Sequence, residues 1–142
     1  MNKPASLRKT LNEGVPHIRD NPESLHIFVD AGNVVATLAP SLSYEYRYTL
    51  NLIVTDFAGD QNLLMVPILY WLKKNQPDLM ANNELREHGF SFEVDILNHK
   101  TCDISIDLKL TERVVVRKEG DNVIVEAVTE PEPWDPEDTG SI

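Results

Sequence analysis

From Tyr44 to Thr55, Tyr44, Tyr46, Tyr48, Leu50, Leu52 and Val54 share one parity. Glu45, Arg47, Thr49, Asn51 and Thr55 share the other, with Ile53 the exception. A period of two sends successive side chains to opposite faces, so the stretch predicts one long antiparallel strand covered on its apolar side. The pattern recurs in Phe90, Phe92, Val94 and Ile96 against Ser91, Glu93 and Asp95. It recurs again in Cys102, Ile104, Ile106, Leu108 and Leu110 against Thr101, Asp103, Ser105, Asp107 and Lys109. The loop Asn98-His99-Lys100 joins these two strands into a hairpin. Beyond them, V-V-V-R-K and V-I-V-E-A-V flank E-G-D-N, which predicts a protruding hairpin arm or an added edge over 114–128. Upstream, two β-prone runs surround Asp30-Ala31-Gly32-Asn33, a Gly-Asn pair suited to the positive φ of a tight turn. This predicts a further hairpin, strands 25–30 and 33–39, closed by Pro40.

Two segments carry a helical period instead. In residues 4–20, Leu7, Leu11 and either Val15 or Ile18 recur at three- and four-residue steps, with Gly14 and Pro16 weakening the last turn. The second helix follows Asp60, which suits an N-cap, and Lys73 and Lys74 complement its C-terminal dipole. Leu63 to Leu72 is apolar nearly all round, so this helix is buried on more than one side. Pro67 either starts its regular part or kinks it, and Pro77 prevents its continuation. The stretch N-N-E-L-R-E-H-G reads as a polar link. The expected fold class is α+β: an antiparallel β-sheet with two α-helices packed on one face. Residues 1–128 form a single domain, and the acidic, proline-rich residues 129–142 a disordered tail.

The bulk numbers narrow the function. The chain has 142 residues, 42% hydrophobic and 25% charged, the balance of a soluble globular protein. No apolar run is long enough for a membrane span, the first residues lack a signal peptide's apolar stretch, and the single Cys102 excludes an internal disulfide; together these point to a cytosolic history. The net charge is −10, and basic residues cluster no further than short pairs such as Arg8-Lys9, Lys73-Lys74 and Arg117-Lys118. Tight nucleic-acid binding needs a basic patch and is not expected.

Candidate chemistry is thin. Asp56 and Asp60 beside Gly59 lack the alternating oxygen ligands of a calcium loop, and read as a strand end, a turn and a helix cap. Asp103 and Asp107 share a face but lie roughly 13 Å apart along a strand, beyond the separation of about 5 to 9.5 Å at which paired carboxylates work. His17, His26, His88 and His99 are scattered with no metal-ligand spacing. No phosphate-binding or nucleophile motif occurs, so no enzyme, metal or cofactor is expected. Tyr44, Tyr46 and Tyr48 suit either a binding surface or a core with its hydroxyls at the rim.

Longer words carry a resemblance. S-L-R at 6–8, I-F-V-D-A-G at 27–32, S-L-S-Y-E-Y-R-Y-T-L-N-L-I-V-T-D-F-A-G-D at 41–60, N-Q-P-D at 75–78, G-F-S-F-E-V-D-I at 89–96 and D-I-S-I-D-L-K-L-T-E-R at 103–113 resemble the tail completion protein R (gpR-like) family of contractile-tailed temperate phages and prophages. The resemblance spans roughly residues 6 to 113. It implies a tail-terminator-like structural virion protein that ends tail growth at the head-proximal end and prepares it for head joining. The implied partners are other copies of itself in a ring (a hexamer by analogy), the tail tube or sheath protein, and the head–tail connector. The implied locations are the host cytoplasm during assembly and then the virion tail. A ring needs head-to-tail contacts between different patches of each subunit. The arm at 114–128, or the edge at 33–39, could supply them by adding a strand to a neighbour's sheet. Arg47, Thr49 and Asn51, with Tyr44 and Tyr46, are the candidate interface residues. Glu93, Asp95, Asp103 and Asp107 are the candidate acidic face of a bore that passes DNA without holding it. The alternative is a small monomeric adaptor that uses the tyrosines to bind a protein.

Overall fold

A computed structural model describes residues 1–38 and 40–129; of the disordered tail expected over 129–142, residues 130–142 lie outside the described residues. Five strands, β1 (Leu25–Ala36), β2 (Tyr44–Ala58), β3 (Phe90–Ile96), β4 (Thr101–Glu119) and β5 (Asn122–Val128), form one antiparallel sheet. The helices α1 (Lys3–Gly14), α2 (Pro16–Asp20), α3 (Asn62–Asn75), α4 (Asp78–Ala81) and α5 (Asn83–His88) complete the α+β architecture. The described residues thus hold five helices rather than two. Pro16 splits the first, because the residue before a proline is driven to extended backbone, and Val15 sits at φ −116°, ψ 108°. The split lets Leu7, Leu11, Val15 and Ile18 all reach the core. The link at 82–89 is helical because the Asn82 side chain accepts the amides of Glu84 and Leu85, a local N-cap in an otherwise polar stretch. Pro67 lies inside α3 and does not end it.

The sheet order is β1-β2-β4-β3, with β5 also on β4. β4 is long enough to take two partners in line on one side: β3 along Cys102–Leu108 and β5 along Arg113–Glu119. Between them, at Lys109–Glu112, β4 keeps β2 on its other side but has no strand partner on this one among the described residues. Its backbone groups are satisfied otherwise, since Lys109 N–H donates to the Gly89 carbonyl (2.9 Å) and Thr111 N–H to Gln76 Oε1 (3.1 Å). The Thr111 carbonyl accepts from Lys3 Nζ at 2.6 Å. The core lies between helices and sheet. Leu50, Leu52 and Val54 of β2 and Ile104, Ile106 and Leu108 of β4 meet Leu7, Leu11, Leu64, Ile68 and Leu72, each fully buried.

Two irregularities revise the strand boundaries. The expected hairpin at 25–39 is instead a single strand, β1, whose register on β2 shifts between Val29 and Gly32. Asp30 and Ala31 together oppose Thr49, a β-bulge. Gly32 supplies a close approach rather than a turn: a Cβ there would lie 3.3 Å from the Tyr48 Cβ. Tyr48 cannot give way, being buried with its hydroxyl hydrogen-bonded to Glu112. Gly32→Ala is therefore expected to cost about 1–2 kcal/mol from overpacking. The check is a lower denaturation midpoint with an unchanged slope.

The second irregularity extends the strand that was expected to end at Asp56. β2 continues to Ala58 across a bulge in which Thr55 and Asp56 face Asp103 alone. Asp56 takes φ +52°, tolerable for an aspartate, and its N–H donates to Asp103 Oδ1 at 2.9 Å. The extra residue changes the parity of the strand. Leu50, Leu52 and Val54 point inward on even numbers, whereas Phe57, odd-numbered, is also inward and buried. Asp60 then receives the Asn62 amide on its side chain at 2.9 Å, as a cap near the start of α3.

Candidate subunit interface

One face of the sheet carries the helices and the other carries none among the described residues, and strand parity assigns the candidate residues between them. Arg47, Thr49 and Asn51 lie on the helix-free face, while Tyr44 and Tyr46 lie on the helix side, so the five do not form one patch. Arg47 is exposed beside Glu45 at 3.5 Å. Thr49 is only 9% exposed, with its hydroxyl accepting from Lys109 Nζ at 2.7 Å. Asn51 donates to Asp107 Oδ1 at 2.8 Å and to the Ser105 hydroxyl at 3.1 Å, which ties β2 to β4.

Glu93, Asp95, Asp103 and Asp107 do gather on the helix-free face. Asp95 is directly opposite Asp103, Glu93 opposite Ser105, and Ser91 opposite Asp107. Side chains so paired sit about 5 Å apart at Cβ, and like charges there repel. Asp103 and Asp107 are partly offset by the Asp56 amide and the Asn51 side chain, while Glu93 and Asp95 are exposed.

On the helix side, the tyrosines divide. Tyr48 is buried and donates to Glu112 Oε2 at 2.8 Å; its burial, reinforced by the hydrogen bond to that carboxylate and by its charge, holds the phenol well above its ordinary pKa. Tyr44 and Tyr46 are half-buried, their rings edge to face at 5.1 Å and their hydroxyls 3.2 Å apart. That hydrogen bond, followed by burial, raises the Tyr44 pKa. Both tyrosines stand where the helical layer ends. The apolar row continues past them onto the arm, as half-buried Val116 and exposed Val125.

Sequence reasoning missed a buried polar cluster at this boundary. Glu112, 7% exposed, accepts the Asn2 amide at 2.6 Å and the Lys3 amide at 3.2 Å on Oε1, and the Tyr48 hydroxyl on Oε2. It caps α1 from the far end of the sequence, where Asn2 makes no side-chain cap. Lys3 Nζ donates to Gln76 Oε1 at 2.6 Å, and Gln76 Nε2 to Asp78 and Thr111. The available signal was parity: Glu112 is a charge in phase with Leu108 and Leu110. Also unread was an apolar groove of about 520 Å³ between α3, α4, α5 and β3, lined by Met65, Leu69, Met80, Phe90 and Phe92.

The family model described as "P2 phage tail completion protein R (GpR)" matches residues 1–133. The tail completion protein R of Escherichia phage P2 is 51% identical over 136 residues, 96% of this chain and 88% of that protein. No solved structure matches. Both matches extend past residue 113 through the arm, which places the β4–β5 hairpin within the shared sequence. The chain belongs to the P2 phage tail completion protein R family.

Proposed function

We propose that this chain completes a phage or prophage tail: it ends growth at the head-proximal end and prepares that end for head joining, as a closed ring of identical subunits. The observation that carries the reading is family membership along nearly the whole chain. The protein is structural, not catalytic. In this reading residues 1–128 act as one unit, assembled in the host cytoplasm and carried into the virion tail. Its partners there are the tail tube or sheath protein and the head–tail connector.

The ring is supported by the shape of the sheet. A rotational ring needs two different patches per subunit, and the sheet offers different open edges, β1 on one side and β3 with β5 on the other. The acidic face supports a bore. With bulky helices outside, Glu93, Asp95, Asp103 and Asp107 face the axis, where their charge repels passing phosphate and discourages retention of DNA. Arg47 and Asn51 then lie on the same inner wall, while Tyr44 and Tyr46 face outward, toward partners on the tail.

Deletion of the gene in the parent prophage, followed by electron microscopy of lysates, tests the reading. Free heads beside headless or overlong tails are expected; normal particles would overturn it. An electron-microscopy reconstruction of the tail's upper end that seats the four acids in a subunit contact would remove the bore.

A further inference from the structure

Edge strands of monomeric proteins are ordinarily blunted by lysine, proline or inward-pointing charge. Neither β5 nor the second half of β1 has such a guard. β5 reads N-V-I-V-E-A-V, and its one charge, Glu126, is held by Arg117 Nη2 at 2.9 Å. Val123, Val125 and Val128 are 65%, 59% and 41% exposed. Residues 32–36 of β1 read G-N-V-V-A with no charge, and Val34 is 63% exposed.

The backbone of β5 is also aimed outward. Val116 of β4 turns its N–H and carbonyl away from β5, to the Ser43 and Ser41 hydroxyls at 3.0 and 2.9 Å. Val116 and Val125 are therefore a non-hydrogen-bonded pair, and the N–H and carbonyl of Val125 point at the open edge. The pairings β1–β2, β2–β4 and β4–β5 are all antiparallel, so β1 and β5 run in opposite directions at opposite edges of one sheet. Rotation about an axis along the strands preserves both direction and face. A neighbouring copy's β1 thus arrives antiparallel to β5, with its helices on the same side.

The geometry points to strand pairing between β5 of one copy and residues 33–36 of β1 in the next. Val34 then packs beside Val123 and Val125 on the helix side, and Val35 beside Ile124 on the other, so apolar meets apolar on both faces. Ala36 is level with Ala127 across the sheet, through Tyr44 and Val114. Opposing Val34 to Val125 displaces the next copy by about four residues along the strands, the kind of stagger a closed, tilted sheet requires. β3 is the poorer partner, because it carries Glu93 and Asp95 and β1 offers no Lys or Arg to meet them. The inference rests on the ring reading above and assigns its contact surfaces.

The test uses tails purified from lysates of a prophage carrying Val34→Cys together with Val125→Cys, treated with a short bismaleimide. A ladder of covalent multimers is expected from the double variant, and only monomer from the wild type and from each single variant. Monomer alone from double-variant tails that are capped and joined to heads would overturn the β5–β1 contact while leaving tail completion intact. Cross-linking by Val125→Cys alone would overturn it too, since β5 would then meet β5 across a two-fold axis. Val125→Pro covers the case in which the double variant does not assemble. It removes an N–H that β4 does not use, so the expected product is folded, with a near-wild-type melting temperature, yet at least tenfold poorer in rescuing the deletion. Wild-type rescue by that variant would overturn the contact.

Discussion

Replacing Glu112 with alanine is expected to destabilise the folded chain by about 3 kcal/mol, because three donors lose their acceptor together inside the protein. The amides of Asn2 and Lys3 and the hydroxyl of Tyr48 all point at its carboxylate, and water does not reach the site freely at 7% exposure. A domain of this kind is stable by only about 5–15 kcal/mol in total, so the melting temperature should drop by about 10 °C. Glu112→Gln should cost only about 1 kcal/mol, since its carbonyl oxygen can still cap α1 while its amide donates to the Tyr48 hydroxyl. A double-mutant cycle with Tyr48→Phe should show the two losses to be strongly non-additive. Equal effects of the alanine and glutamine variants in thermal denaturation would show that the carboxylate's hydrogen bonds do not hold this end of α1.

Truncating Phe57 to alanine is expected to cost about 3–5 kcal/mol, the scale for a buried phenylalanine. Phe57 reaches the core because Thr55 and Asp56 together oppose Asp103, so the inward row passes from even-numbered Val54 to odd-numbered Phe57. Deleting Asp56 should be far milder. It removes the extra residue, and regular alternation then carries the chain from inward Val54 through outward Thr55 to an inward Phe57, still opposite Cys102. The Asp56 amide bond to Asp103 would go, at about 1 kcal/mol. The relief of one left-handed residue, about 1–2 kcal/mol, offsets that loss. Chemical denaturation of the two variants side by side decides the matter. A deletion as damaging as the alanine substitution would show that the bulge itself, and not strand parity, holds Phe57 in the core.

These two sites mark where the sequence was legible and where it was not. Strict alternation in β2, β3 and β4 identified the sheet and its buried face, because parity is a local property of an extended chain. Parity also placed all four acids on one face. The hairpin expected around Gly32 failed for the opposite reason. Gly-Asn between apolar runs looks the same whether the chain turns back or bulges past a partner, and only the Tyr48 backbone beside it decides. The polar link became α5 through one asparagine cap, whose effect is too small to dominate a pattern search. Glu112 and Lys3 were unreadable as a pair, since nothing local joins residues 109 positions apart.

That separation has a consequence for how the protein is made. A ribosome adds roughly 5–20 residues per second. For the several seconds between emergence of α1 and emergence of residue 112, the first helix has its core-facing leucines but no acceptor for its leading amides. The β2–β4 pairing that presents Glu112 is itself long-range, and such contacts form late. A segment that leaves the ribosome well before β4 is thus among the last to be locked in place. Under the proposed pairing, an unfinished copy that lacks β5 offers only one of the two edges a ring needs, which keeps ring closure waiting for finished chains.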